Sequence, residues 1–193
     1  DAIAVALLSR LSDLAPVCFV NGNHEMCVER HQPERYQKFM DDLKNGGVQV
    51  LHNETACFWI DGEKVAVTGY ELPWEYYRRF SRRHPSVVGM ERSIGKRKQD
   101  AYQILLTHNP VFFEEYTAWG ADFTFAGHLH GGFIRLPYFG GVISPQFQLF
   151  PKYDHGLYQM DTSSMVVGAG MGNHSGLFRI NNPTEIVTVR IKR

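Results

Sequence analysis

The sequence predicts an α/β fold in which two packed β-sheets are flanked by helices. Short apolar segments typical of buried strands alternate with segments whose apolar residues recur at helical spacing. Three of the predicted strands are followed directly by polar clusters that contain histidine. Because the carboxyl ends of neighbouring strands converge at one edge of an open α/β sheet, we expect these clusters to meet in one crevice.

Length and composition indicate one globular domain. A chain of 193 residues buries about 70% of its unfolded surface and can support its own core, so we expect a single domain over residues 1–193. Twenty basic and twenty acidic residues cancel, which argues against a general attraction to nucleic acid. The three cysteines form no C-x-x-C pair, and Cys18 and Cys57 lie in apolar runs, which predicts buried thiols.

The first part of the chain predicts helices and strands in alternation. Residues 2–14 predict an amphipathic helix that lies on a sheet, with its apolar residues at helical spacing: Ile3, Leu7, Leu8, Leu11 and Leu14. A strand is expected at 17–20 and a glycine-containing turn at 21–25. Further along, we expect a helix over 34–44 and strands over 48–51, 56–60 and 65–70, the last two joined by a hairpin at Asp61-Gly62.

The second part is richer in strands. Apolar runs predict strands over 102–107, 123–126, 156–160, 165–168 and 186–191, and a helix over 111–119. Residues 78–98 show no clear period and contain eight Lys and Arg against one acid, Glu91. We expect this stretch to belong to an inserted loop or short helical cap covering about 73–100.

The three histidine clusters carry the chemistry. They are Gly22-Asn23-His24-Glu25, Thr107-His108-Asn109-Pro110 and Gly127-His128-Leu129-His130-Gly131-Gly132. His128 and His130 are two apart in a segment expected to be extended, which would turn both imidazoles to one side, as metal ligands require. A single histidine after a strand is more often a cap, but three such clusters in order favour a shared site.

These clusters resemble the last three of the five motifs of the calcineurin-like metallophosphoesterases. The resemblance is closer to the bacterial phosphohydrolase branch that is often encoded with an N-terminal membrane anchor. It continues through Arg135-Leu136-Pro137, Pro151-Lys152-Tyr153, Gly156-Leu157-Tyr158 and Asn182-Pro183-Thr184-Glu185-Ile186. The resemblance implies a four-layer αββα sandwich of two mixed β-sheets flanked by helices, here without its first strands.

The resemblance also implies roles for the cluster residues. Asn23, His108 and His128 would hold one divalent metal ion and His130 the second. His24 would lie near the scissile phosphate, where it stabilises charge or protonates the leaving oxygen. Glu25 would orient His24.

The first two family motifs, an Asp-x-His and a Gly-Asp, have no counterpart before Asn23. Asparagine and histidine bind metal as neutral ligands, so two divalent ions would keep a charge of about four without a carboxylate. We therefore expect the chain to be a fragment whose missing N-terminal segment supplies those ligands. Its open sheet edge would favour a homodimer, and a missing segment would decide between a cytoplasmic and a membrane-associated protein.

With that site complete, the implied reaction is hydrolysis of a phosphomonoester or phosphodiester by in-line attack of a metal-bridging hydroxide. The dinuclear metal centre would hold manganese, iron, zinc or magnesium, which the ligands do not distinguish. The competing interpretation is a catalytically incomplete binding or regulatory module of the same fold. No specific nucleic-acid partner is expected, since the basic stretch offers only Phe80 for stacking.

Two segments are candidates for a substrate rim, although each is more often a plain surface or core segment. Basic residues could attract an anionic substrate: Arg78, Arg79, Arg82 and Arg83. The apolar stretch 133–150, with Phe139 and Phe147, could form a wall suited to a lipid-like or nucleoside substrate.

Overall fold

A mixed six-stranded sheet dominates the computed structural model, which describes residues 1–78, 83–132, 135–136, 140–141, 150–172 and 180–191. The described helices are α1 Ala2–Ser12, α2 Asn23–His31, α3 Pro33–Asn45, α4 Val87–Ile94 and α5 Phe113–Trp119. The strands are β1 Cys18–Phe19, β2 Gln49–Val50, β3 Thr55–Ile60, β4 Glu63–Tyr70, β5 Tyr102–Thr107, β6 Phe123–Ala126, β7 Arg135–Leu136, β8 Gly140–Gly141, β9 Gly156–Met160 and β10 Ser163–Val167. Two 3₁₀ turns, Trp74–Tyr77 and Pro110–Phe112, precede α4 and α5.

The large sheet has the strand order β3-β4-β5-β6-β10-β9. Its four central strands are parallel, whereas β3 and β9 close the edges in antiparallel pairing. In register, Tyr70 pairs with Thr107 and Leu106 pairs with Phe125. The carboxyl ends of β4, β5 and β6 therefore lie side by side, and the residues that follow them share one edge of the sheet.

A smaller parallel pair, β1 and β2, lies under α1 and α3. Its core is apolar, with α3 contributing the largest buried side chains: Tyr36, Met40 and Leu43. The pair meets the large sheet at Gly69 of β4, where an added Cβ would lie 2.5 Å from the carbonyl oxygen of Leu51. This close approach requires glycine at position 69.

Helices α4 and α5 cover one part of the large sheet. Met90 and Ile94 of α4 pack in one cluster with Leu105 of β5 and with Tyr116 and Trp119 of α5. The Nε1 of Trp119 donates to the carbonyl of Gly95, 2.9 Å away, which fixes the end of α4 on α5. The basic stretch therefore contains a packed helix, while an inserted loop or short helical cap over about 73–100 stays a prediction.

The predicted α/β class is confirmed, and most elements fall where the sequence places them. Strands β5, β6 and β9 have the predicted bounds. The hairpin at Asp61-Gly62 is also present, with φ of 50° and 83° that suit a two-residue turn. Of the two mixed sheets expected, the described residues show the six-stranded one, and the short parallel pair β1 and β2 stands in place of the other.

Four expectations were wrong. The turn at 21–25 is in part the start of a helix, α2, and Cys57 is exposed because it lies on the open face of an edge strand. Residues 186–191 form no strand within the described part of the chain, where Ile186 is 78% exposed. Helix α1 packs through Val5 and Leu8 on the cluster formed by α3 and β2, but the other residues of its predicted apolar face are in solvent: Ile3, Leu7, Leu11 and Leu14.

Among the helices that the structure describes, none combines the length and the apolarity that crossing a bilayer requires.

Replacing Gly69 with alanine should destabilise the protein by about 1–3 kcal/mol, because the added methyl group has to push the backbone of Leu51 away. Urea denaturation would measure the change in the free energy of unfolding. Gly172→Ala is the matched control, since a Cβ there meets no atom of the described residues within 4 Å. Equal stabilities of the two variants would contradict the close packing of the two sheets.

Candidate active site

His108 and His128 come together because β5 and β6 are adjacent and parallel. His108 follows the last residue of β5, and His128 lies two residues beyond the end of β6. Their ring centroids are 5.0 Å apart with an interplanar angle of 61°. The amide of Gly127 donates to the carbonyl of His108 at 3.1 Å, which fixes one strand end on the other.

The turn after β1 reaches the same place. An added Cβ at Gly22 would lie 2.9 Å from three atoms of the His108 ring, so this turn packs directly on the imidazole. Asn23 then begins α2, and its Oδ1 is buried. Neither that oxygen nor Nε2 of His108 has a hydrogen-bond partner among the described residues. Buried polar atoms without partners are costly, so both atoms fit ligands of a bound group.

His24 and His130 lie within electrostatic reach of His108. The pKa of His108 is lowered to about 4, chiefly by burial and then by positive charge on His130 and His24. His24 is exposed in the first turn of α2, while His130 is partly buried. The structure thus places the four predicted metal ligands and His24 at one edge of the large sheet. The four are Asn23, His108, His128 and His130.

The segment 127–132, which we call the histidine loop, is not extended as predicted. Four residues have left-handed backbone conformations: His128, His130, Gly131 and Gly132, with φ of 62°, 49°, 69° and 83°. Leu129 between the two histidines is fully buried and anchors the loop. The directions of the two imidazoles therefore follow from a tight turn and not from strand alternation.

Glu25 lies on the backbone of the first cluster. Its Oε2 accepts a hydrogen bond from the amide of Gly22 at 2.9 Å, which satisfies one of the free amides at the start of α2. Glu25 therefore orders the turn that carries Asn23 and His24. Its predicted action on the His24 ring itself stays a prediction.

The sequence did not identify Tyr77, an aromatic residue of the site. Its ring centroid is 5.2 Å from that of His128 and 6.1 Å from that of His108. Burial raises the pKa of its hydroxyl, and the negative charges of Glu25 and Glu71 raise it further. The only signal was the aromatic run 74–77 immediately before the basic stretch.

Glu71 is a second residue that the sequence did not single out. It directly follows β4, and its Oε1 lies 2.9 Å from Nδ1 of His52. Burial raises the pKa of its carboxyl, against the lowering effect of His52. Within the ranges that the structure describes, no three His, Cys, Asp or Glu side chains are grouped to hold a metal ion. The donor set of Asn23, His108 and His128 thus fits part of a metal centre and supplies no carboxylate.

The candidate rim is described in part. Arg78 is exposed and directly follows Tyr77, and Nη1 of Arg83 pairs with Glu75 at 2.7 Å. Arg79, Arg82, Phe139 and Phe147 lie outside the described residues.

The fold and the histidine positions define the class of protein. Residues 2–132 match the family model of the calcineurin-like phosphoesterases. The chain therefore belongs to the calcineurin-like phosphoesterase family, which generally uses divalent metals and whose named relatives include hydrolases of phosphate esters.

Three curated relatives show the range of similarity. The metallophosphoesterase YkuE of Bacillus subtilis is 30% identical over 53% of the chain and 35% of its own length. The phosphodiesterase YaeI of Escherichia coli is 24% identical over 96% of the chain and 62% of its own length. The UDP-2,3-diacylglucosamine pyrophosphatase LpxG of Chlamydia trachomatis is 25% identical over 77% of the chain and 43% of its own length. The chain thus spans less than two thirds of each of these relatives, and no solved structure matches it.

The buried His108 should make the metal-free protein sensitive to acid. Its pKa of about 4 lies below the ordinary value of 6.5, so the unfolded chain binds the proton first as the pH falls between these values. Stability should therefore drop by roughly 1–3 kcal/mol on going from pH 6.5 to pH 4.

Chemical denaturation with a chelator present, at pH 4, 5, 6 and 7, would test this expectation. His108→Asn, which removes the titrating group, should lose less stability over that interval than the unmodified protein. Parallel curves for the two proteins would show that His108 does not contribute to the pH dependence.

Proposed function

We propose that the chain carries the histidine side of the catalytic centre of a metal-dependent phosphohydrolase that cleaves a phosphomonoester or a phosphodiester. The observation that supports this proposal is the juxtaposition of His108 and His128, with the turn that carries the buried amide oxygen of Asn23 packed on His108 through Gly22. One amide oxygen and imidazole nitrogens together form a donor set that suits manganese, iron or zinc.

Asn23, His108 and His128 would hold one ion and His130 a second. Their carboxylate partners would come from sequence outside these 193 residues, because four neutral ligands leave the charge of two divalent ions uncompensated. When bound, such ions stabilise charge on the phosphoryl oxygens and lower the pKa of water.

His24 is the proposed catalytic residue. It is exposed in the first turn of α2, where the helix dipole favours a phosphate oxygen. From there the imidazole can donate a proton to the leaving oxygen or stabilise its developing charge. Glu25 keeps this turn in place through the Gly22 amide.

The substrate is proposed to be lipid-like. One relative is named for hydrolysis of a diacylated sugar nucleotide and another as a phosphodiesterase. An apolar wall that includes Phe139 and Phe147 would bind acyl chains, and the basic residues after Tyr77 would attract the phosphate. The alternative, a binding or regulatory module, predicts phosphate-ester binding without turnover.

Alanine at His128 or at Asn23 should reduce phosphodiesterase turnover at least about 100-fold, since each removes a metal ligand. The assay is Mn²⁺-dependent hydrolysis of bis(p-nitrophenyl) phosphate by the full-length protein that contains this chain, with and without EDTA. His31→Ala is the matched control, because His31 is an exposed histidine at the far end of α2.

Activity that resists EDTA and survives the His128 and Asn23 substitutions would contradict the proposed function. Binding of the ester with no turnover in the unmodified protein would favour the binding module.

Removing charge at the rim should weaken substrate capture without affecting the chemical step. In the double variant Arg78→Ser and Arg83→Ser, KM for an anionic phosphodiester should rise several-fold, while kcat stays nearly unchanged. The increase of KM with ionic strength should also be shallower than in the unmodified protein. Arg10→Ser on α1 serves as the control for loss of a remote positive charge. A KM that does not depend on salt in the unmodified protein would show that the basic stretch is ordinary surface.

A further inference from the structure

Asn182 connects the C-terminal part of the chain to the histidine loop. Its side chain is 4% exposed, and its Nδ2 donates to the carbonyl of Gly132 at 2.8 Å and also to the carbonyl of His130. We propose that Asn182 is a positioning residue that sets the direction of the His130 imidazole. This inference rests on the proposed function, in which His130 is a metal ligand.

The histidine loop needs such support because of its backbone. Its left-handed residues include two histidines, and this conformation is sparsely populated by residues other than glycine. Inside the loop, Leu129 donates to Gly127 and Gly132 donates to Leu129, both at 2.7 Å. The carbonyls of His130 and Gly132 are the acceptors that Asn182 satisfies, so one amide group closes the turn from outside.

Steric contacts hold the loop on both sides. An added Cβ at Gly131 would lie 2.8 Å from Oδ1 of Asn182, so glycine is required there by the neighbour as well as by its φ. On the other side, an added Cβ at Gly141 would lie 2.7 Å from the carbonyl oxygen of Gly131. The loop is therefore packed between Asn182 and Gly141, which leaves little room for an alternative turn.

Asn182 is itself held at both ends of its segment. Before it, the amide of Arg135 donates to the carbonyl of Ile180 at 3.1 Å. After it, Oε1 of Glu185 accepts from the amide of Ala169 at 2.7 Å and lies 2.8 Å from Nε2 of His155. Residues 180–185 thus form a strap, anchored on β7 and beyond β10, that presents one buried amide to the histidine loop.

Asn182→Asp tests the proposal, because aspartate has almost the same shape as asparagine but cannot donate these hydrogen bonds. A carboxylate oxygen would face the carbonyls of His130 and Gly132 in place of the amide nitrogen. Asn181→Asp is the control: it makes the same change at the exposed neighbour, whose φ of 53° aspartate tolerates. Hydrogen exchange of the peptide covering 127–132, followed by mass spectrometry without metal, should be at least about 5-fold faster in Asn182→Asp alone. Unchanged exchange in that variant would overturn the proposal.

The second measurement separates positioning from general stability. In the full-length protein, Asn182→Asp should weaken Mn²⁺ binding about 10- to 100-fold by calorimetry and lower kcat with little change in KM, as loss of support for a metal ligand does. Faster loop exchange with unchanged Mn²⁺ affinity and kcat would show that Asn182 only stabilises the fold. If the unmodified protein neither binds Mn²⁺ nor hydrolyses esters, the proposed function fails, while the exchange result still reports whether Asn182 holds the loop.

Gly131→Ala provides a second variant should Asn182→Asp fail to fold. It pushes on the same contact from the loop side. Gly170→Ala is its control, because Gly170 has a similar φ of 67° and an added Cβ there meets no described atom within 4 Å. The same exchange, Mn²⁺ and kcat changes are expected, and a Gly131→Ala protein that behaves like the control in all three would contradict the proposal.

Discussion

The parallel pairing of β5 with β6 is the constraint on which the candidate site depends. It places His108 and the histidine loop at neighbouring strand ends, and the hydrogen bond from Gly127 to the carbonyl of His108 holds those ends together. The turn after β1 reaches this edge because Gly22 has no side chain to collide with the His108 ring. A site built from residues over 100 positions apart therefore needs only one strand pair and one close approach.

The electrostatics of this edge suit cations. Asn23 presents a neutral amide oxygen, and burial helps to lower the pKa of His108 to about 4, so that this imidazole is neutral above that pH. The unpartnered Nε2 of His108 and the buried amide oxygen of Asn23 favour a bound cation over a proton, since a metal ion can satisfy several donors at once. The nearby carboxyls are bound to other groups: Glu25 accepts from the Gly22 amide, and Glu71 pairs with His52.

Local patterns predicted most of this fold because its central strands are short, apolar and ended by polar residues. The same patterns failed where contacts with other elements of the fold decide whether a segment forms a strand or is buried. Residues 186–191 alternate like a strand but pair with no strand among the described residues. Four of the five predicted apolar residues of α1 are exposed, although Val5 and Leu8 pack on the cluster of α3 and β2. Order along the chain likewise predicted that the histidine clusters would meet. It could not predict Tyr77, whose place beside His108 and His128 arises from the 3₁₀ turn between β4 and α4.

The conformation of the histidine loop shows why sequence spacing is a weak guide to ligand direction. An H-x-H pair in a strand would place both rings on one face, whereas here both histidines are left-handed and the residue between them is buried. The glycines that follow permit the turn without selecting it, because glycine populates many conformations. Selection comes from contacts made by distant residues, Asn182 and Gly141, on either side of Gly131. The ligand geometry of this edge is therefore a property of the C-terminal strap as much as of the motif itself.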